Sequence, residues 1–89
     1  MDELALLKAN LGINSELRDT YLESIIKSVK NELISEKGID YESDNPTHLM
    51  FMVDYAAWRF RNRGEGAMPR NLQYRLHNLI IHNGGDSNV

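Results

Sequence analysis

The sequence predicts an all-α fold, a small bundle of four helices. Apolar side chains recur at steps of three and four residues in four separate stretches, and turn residues rich in glycine, proline and asparagine divide those stretches. No alternation of apolar and polar residues lasts long enough to indicate a strand. A chain of 89 residues has room for one domain. We place that domain at residues 1–83 and expect a short, loose tail at residues 84–89.

The first helix is predicted at about residues 3–11. Asp2 is a good N-cap residue, and Gly12 is a good residue to end the helix in a left-handed conformation. The apolar stripe consists of Leu4, Leu7 and Leu11. A helix of this length is not stable alone, so we expect it to pack against another element.

The second helix is predicted at about residues 15–36, with Asn14 or Ser15 as the N-cap and Gly38 as the stop. It is amphipathic, with one apolar face and one charged face. The predicted core face contains Leu17, Tyr21, Leu22, Ile25, Ile26, Val29, Leu33 and Ile34.

The third helix is predicted at about residues 46–62. Asn45 followed by Pro46 is typical of an N-cap and first helical position, because proline lacks the N–H that the first turn leaves unused. A fourth helix is predicted at about residues 69–82, starting at Pro69 and closed by Gly84 and Gly85. Its apolar face contains Leu72, Leu76, Leu79 and Ile80.

The third helix is apolar on two sides. One stripe contains Leu49, Met52, Val53, Ala56 and Phe60, and the second contains Phe51, Tyr55 and Trp58. A helix that is apolar nearly all round is normally buried nearly all round. Because a domain of this size buries only about 60–65% of its extended surface, we expect the chain to be too small to cover both sides, and a second copy of the chain to supply the rest.

Charge is distributed unevenly along the chain. Residues 1–44 contain ten acidic and five basic side chains, whereas residues 45–89 contain three acidic side chains and five arginines, for a net charge of −3. One interpretation is that the charged side chains are simply spread unevenly over a solvent-exposed surface. The other is that an acidic face of one subunit meets a basic face of the next.

The sequence contains no recognisable catalytic, cofactor-binding or metal-binding pattern, so we expect no enzyme. It has no cysteine, and His77 and His82 are five residues apart, whereas metal-binding pairs on a helix are three or four apart. No secretion signal opens the chain and no apolar run reaches the roughly 18 residues of a membrane span. We therefore expect a soluble, intracellular protein with no membrane partner.

Several parts of the sequence resemble the small head–tail connector proteins of long-tailed bacteriophages and prophages, a family also described as DNA-packaging proteins. The resemblance covers about residues 2–82. In the first half it lies in the leading helix, the Leu11-Gly12-Ile13 turn, and Asp19 and Leu22 on the second helix. In the second half it lies in His48-Leu49-Met50, Ala57-Trp58-Arg59 and Arg63-Gly64-Glu65.

This resemblance implies a structural virion protein that forms a homo-oligomeric ring, commonly twelvefold, at the head–tail junction after assembly in the host cytoplasm. Such a ring docks on the portal protein, extends the DNA channel and gives a neck, stopper or tail protein its attachment surface. Double-stranded DNA would pass through the lumen without sequence readout, and no cofactor is implied.

We predict that the subunit interface contains Phe51, Tyr55, Trp58, Arg59, Arg61 and Arg63. Tyrosine and tryptophan suit interfaces because each combines a large apolar body with a polar group. The arginines would pair with the acidic half of a neighbour or line the lumen. Alternatively, Trp58 belongs to the core of a small bundle. Two other functions stay open: a helical interaction module that dimerises through the third helix, and a DNA-binding regulator.

Overall fold

The computed structural model describes residues 2–63 and 65–85 of the chain. These residues form α1 at Glu3–Leu11, α2 at Asp19–Asn31, α3 at Pro46–Asn62 and α4 at Arg70–Gly85. A π-helical segment, Glu32–Glu36, continues α2 directly. Within the described residues there is no strand, so the predicted all-α class with four helices is confirmed.

Both predicted ends of α1 are confirmed. The Asp2 carboxylate accepts a hydrogen bond from the Leu4 N–H at 3.1 Å, which satisfies one of the free donors at the helix start. Gly12 adopts the left-handed conformation, with φ of 74°, and the Ile13 N–H donates to the Lys8 carbonyl at 2.9 Å. These two caps fix the helix between the positions that the sequence indicated.

The predicted start of the second helix at residue 15 is wrong, because α2 begins at Asp19. The Ser15 hydroxyl accepts from the Leu17 N–H at 3.0 Å, and the Asp19 N–H donates to the Glu16 carbonyl at 3.2 Å. This local turn competes with helix formation, as serine side chains commonly do. Leu17 consequently lies outside the core, with 93% of its surface exposed.

The end of the second helix differs from a regular α-helix. The Lys37 N–H donates to the Glu32 carbonyl at 3.0 Å, a bond that spans five residues, and Gly38 follows with φ of 68°. Leu33 is fully buried, whereas Ile34, which was predicted in the core, is half-exposed.

The third helix matches the prediction at both ends. The Asn45 side chain accepts from the backbone N–H groups of Thr47 and His48, and Pro46 occupies the first helical position. α3 is the central element, since α1, α2 and α4 all pack against it. The expectation that the chain is too small to cover both sides of this helix is wrong, because three helices surround it. Its buried residues are Leu49, Phe51, Met52, Val53, Tyr55, Ala56 and Ala57.

The fourth helix starts at Arg70, one residue after the predicted start, and continues to Gly85, three residues past the predicted end. Gly84 and Gly85 therefore belong to α4. Residues 86–89 of the predicted tail lie outside the described residues, and the domain boundary at residue 83 stays a prediction. Among the described residues, α4 packs on α3 alone. Leu72 and Leu79 are buried in that contact.

Candidate functional site

The structure places two of the three predicted interface aromatics inside the subunit. Phe51 and Tyr55 are 1% and 5% exposed, and their ring centroids are 5.8 Å apart. Trp58 stacks on Tyr55 at 6.1 Å and is only partly buried. Of this stripe, Trp58 alone reaches the surface to an appreciable extent. The contact of these residues with a neighbouring subunit stays a prediction.

Arg59 belongs to a polar network that joins α3 to the second helix of the same chain. Its Nη2 donates to Glu32 Oε1 at 2.5 Å and to the Tyr55 hydroxyl at 2.8 Å, and its Nη1 donates to Ser28 Oγ at 2.9 Å. The Tyr55 hydroxyl in turn donates to Glu32 Oε2 at 2.8 Å. The guanidinium also lies over the Tyr55 ring, with Cζ at 4.8 Å from the centroid. The acidic partner of Arg59 is thus within its own subunit.

The pKa values of Glu32, Tyr55 and Arg59 shift in the directions expected for groups that form charge-assisted hydrogen bonds with one another. Burial alone would raise the pKa of Glu32, but the hydrogen bonds from Arg59 and Tyr55 bring that pKa below its usual value. Burial and the bond to Glu32 raise the pKa of Tyr55. Burial would lower the pKa of Arg59, but its bond to Glu32 raises it. All three shifts favour the protonation states that form these bonds, so the network holds two helices together. Each pKa moves away from neutral pH, so none of the three groups is suited to donate or accept a proton in catalysis.

The other two predicted arginines lie at the end of α3. Arg61 Nη2 donates to the Asn10 backbone carbonyl at 3.2 Å, which ties the end of α3 to the end of α1. Arg63 follows the helix in the left-handed conformation with φ of 55°, and it is exposed. The Arg63 side chain forms no hydrogen bond or ion pair with the other described residues. Among the three predicted arginines, Arg63 is therefore the one most available to a partner.

The two ends of α3 carry opposite charge. The segment that leads into its start, residues 36–44, contains four acidic side chains and one lysine. This segment is held at that end because the Glu42 N–H donates to His48 Nδ1 at 3.1 Å and Tyr41 stacks on His48 at 6.0 Å. Near the other end Asp19 is paired with Lys8 at 2.8 Å. The other charged residues there are Glu16 and Glu65 and the four arginines Arg18, Arg61, Arg63 and Arg70, so positive charge is in excess. Because α3 has 17 residues, the ends are separated by about 25 Å.

Several large apolar side chains are exposed, and most of them were predicted in the core. Leu17, Tyr21, Ile34 and Ile80 were assigned to core faces, yet each is at least 39% exposed. Leu17 precedes the helix in a serine turn, and that turn is the one signal in the sequence that could have placed it outside. The described chain also exposes Met50, Tyr74 and Ile81.

A cleft of about 380 Å³ opens at the acidic end, between the start of α3 and the end of α4. Its lining includes Glu42, Thr47, His48, Leu79 and His82. No group of three histidine or carboxylate side chains within the described residues is arranged to hold a metal ion. Within residues 2–63 and 65–85, no helix combines the length and the apolar character that a membrane span requires.

Comparison with known proteins identifies the family. The family model described as "Phage gp6-like head-tail connector protein" matches residues 1–82. A search of curated proteins and a search of solved structures each gave no match. The match spans all four helices up to His82, including the central α3 and the caps of α1. This chain therefore belongs to the phage gp6-like head-tail connector family, and it is a structural protein of the phage virion rather than a member of a known enzyme family.

Proposed function

We propose that this protein forms a ring that docks on the portal protein at the head–tail junction. The ring would extend the DNA channel and give a neck, stopper or tail protein its attachment surface. The observation that supports this proposal most is the family match over residues 1–82. The exposed apolar side chains of the subunit supply surface for the neighbours that such a ring requires.

We further propose a ring of twelve copies in the virion, formed in the host cytoplasm during assembly. DNA would pass through its lumen by non-specific contact, without base readout, and the ring would catalyse no reaction. Of the predicted interface residues, Trp58, Arg61 and Arg63 are the ones whose exposed surface allows direct contact with a neighbour or with DNA. Phe51, Tyr55 and Arg59 would act indirectly, by holding α3 against the rest of the subunit.

Co-expression with the portal protein encoded by the same phage tests this proposal. An affinity tag on the portal should retain the untagged chain, and negative-stain electron microscopy should show an added ring at one end of the portal. The tagged portal of an unrelated phage serves as the control and should retain none. If the cognate portal does not bind the chain at any ratio, the proposal is wrong.

The same preparation separates the two alternative functions. An interaction module would sediment as a strict dimer at all concentrations, with or without the portal. A DNA-binding regulator would bind duplex DNA with an affinity that falls steeply as salt rises, and would do so without the portal. A connector subunit instead assembles beyond a dimer when the portal is present.

A further inference from the structure

The end of the subunit near the start of α2 carries an exposed apolar patch with basic residues beside it. Leu17 is 93% exposed and Tyr21 is 46% exposed. The Tyr21 ring lies 6.0 Å from the Phe60 ring, and the Arg18 guanidinium covers Phe60 at 5.7 Å. The Leu17 backbone is fixed by its bond to Ser15. We call Leu17, Tyr21, Arg18 and the nearby Arg63 the basic-end patch.

The opposite end carries a second exposed apolar patch, here beside acidic residues. Ile80 and Ile81 are 39% and 48% exposed, in the same part of α4 as Leu79 and His82, which line the cleft. Glu42 lines the other side of that cleft. Since α4 packs on α3 alone within the described chain, its outer face is uncovered. We call Ile80, Ile81, the cleft and the 36–44 segment the acidic-end patch.

The charges decide which patches can meet. Two acidic-end patches would place carboxylates against carboxylates. Two basic-end patches would bring together more arginines than carboxylates, since only Glu16 and Glu65 lie among the arginines there, so symmetric pairing is disfavoured at either end. Apolar surface beside arginines suits apolar surface beside carboxylates, because burial and ion pairing then occur together. The two patches lie at opposite ends of one chain, separated by about the 25 Å length of α3. Each copy can therefore contact two others at once.

We propose that the basic-end patch of one copy docks on the acidic-end patch of the next copy, with Leu17 against Ile80 and Ile81, and Arg18 or Arg63 directed toward Glu42. This proposal rests on the proposed connector function and names the surface by which the ring closes. A contact between two different patches is heterologous, and it generates a ring when the rotation between neighbours closes. The occupant of each patch is thus another copy of this chain.

The natural absence of cysteine makes a direct test simple. The double variant Leu17→Cys/Ile81→Cys is assembled on the cognate portal and treated with a short bifunctional thiol cross-linker. Denaturing electrophoresis should then show a ladder of covalent oligomers that extends to the full ring. Each single-cysteine variant should stay monomeric, and an equal mixture of the two single variants should give dimers and no larger species.

The control is Leu17→Cys/Met50→Cys, because Met50 is exposed to nearly the same degree as Ile81 but lies on α3, outside both patches. This pair should give no ladder. All the substituted side chains are at least 46% exposed, so the variants should fold, and circular dichroism on the free subunit checks this.

The outcomes separate this interface from the function on which it rests. If a ring is visible on the portal but the double variant gives no ladder, or the control pair gives an equal one, the interface is wrong and the connector function stands. Covalent dimers from Leu17→Cys alone would show symmetric pairing and would also overturn it. If the wild-type chain forms no ring on the portal, both proposals fail.

Discussion

Arg59 is placed where three acceptors and an aromatic face surround one guanidinium group. Glu32, Tyr55 and Ser28 all bind it, and the Glu32 carboxylate is in turn bound by the Tyr55 hydroxyl. Charge-assisted bonds of this kind, in side chains that are mostly shielded from water, contribute more than exposed ion pairs do. At the scale of the residue, this arginine is therefore a stabilising group of the subunit.

The first prediction concerns Glu32→Gln. We expect this variant to lose about 1–2 kcal/mol of unfolding free energy at neutral pH, because a neutral amide accepts more weakly from Arg59 and Tyr55. The folded state lowers the pKa of Glu32, so the stabilisation is present above the ordinary glutamate pKa and is lost as pH falls through the folded value. The difference in unfolding free energy between variant and wild type should thus become smaller at acidic pH.

Urea denaturation followed by circular dichroism at several pH values measures this gap. Glu23→Gln, on the exposed side of α2, is the matched control and should change stability little at any pH. A gap for Glu32→Gln that stays constant between neutral and acidic pH would contradict the role given to the carboxylate charge.

The second prediction compares two leucines in the same region. Leu17→Ala should change the unfolding free energy by no more than about 0.5 kcal/mol, because Leu17 is almost fully exposed. Leu22→Ala should cost about 2–5 kcal/mol, since Leu22 is fully buried. Thermal unfolding monitored by circular dichroism distinguishes the two. Equal losses would show that Leu17 packs in the core, as its position in the sequence pattern suggested.

The roles of some residues can be predicted from the sequence, and those of others cannot. The N-cap roles of Asp2 and Asn45 could be predicted, because a cap depends on the residue and its immediate neighbours. The pairing of Arg59 with Glu32 could not, because it depends on how two helices cross, 27 positions apart in the chain. Hydrophobic spacing placed Phe51 correctly on an apolar face but could not say which chain covers that face.

The positions of the helices were predicted better than the packing contacts between them. Spacing and turn residues located all four, and the errors lie at the two ends of α2, where a serine turn precedes the helix and a π-helical segment follows it. The same spacing could not reveal that α4 contacts only α3, since that follows from packing. Among the described residues, α4 differs from the other helices because it packs against one helix only, α3.

The third prediction follows from that difference. A helix with few packing partners opens locally at a lower free energy than one surrounded by neighbours. In native-state hydrogen exchange on the isolated subunit, α4 amides should exchange faster than α3 amides, and assembly on the portal should slow α4 more than α3. Protection of α4 equal to that of α3 in the isolated subunit would contradict this ordering.

At the scale of the whole molecule, the subunit is a charge-polarised body with an acidic end and a basic end. The sequence indicated a difference between its halves, and the structure converts this into a difference between the two ends of α3. Arg59, which was expected to pair with a neighbour's acid or line the lumen, binds Glu32 of its own chain, whereas the exposed Arg63 side chain has no hydrogen bond or ion pair among the described residues. In the proposed ring, this distribution would orient each copy relative to the next.

The fourth prediction is that assembly between copies weakens with salt. Ion pairing between the two ends is screened when the Debye length falls from about 10 Å at 0.1 M to about 3 Å at 1 M. Analytical ultracentrifugation of subunit and portal across this range should show fewer bound copies at high salt. The variant Arg63→Glu should assemble poorly at low salt. Assembly should recover in the double variant that combines Arg63→Glu with Glu42→Arg in one chain. Assembly that increases with salt would indicate a mainly apolar contact.

The central claim is that this chain forms a ring on the portal. Native mass spectrometry of the purified portal complex tests it most directly, because the mass gives the number of bound copies. We predict one ring of twelve copies per portal, with no stable population between the empty and the complete ring. A portal that binds no copies, or that binds the chain only as isolated dimers, would contradict the account.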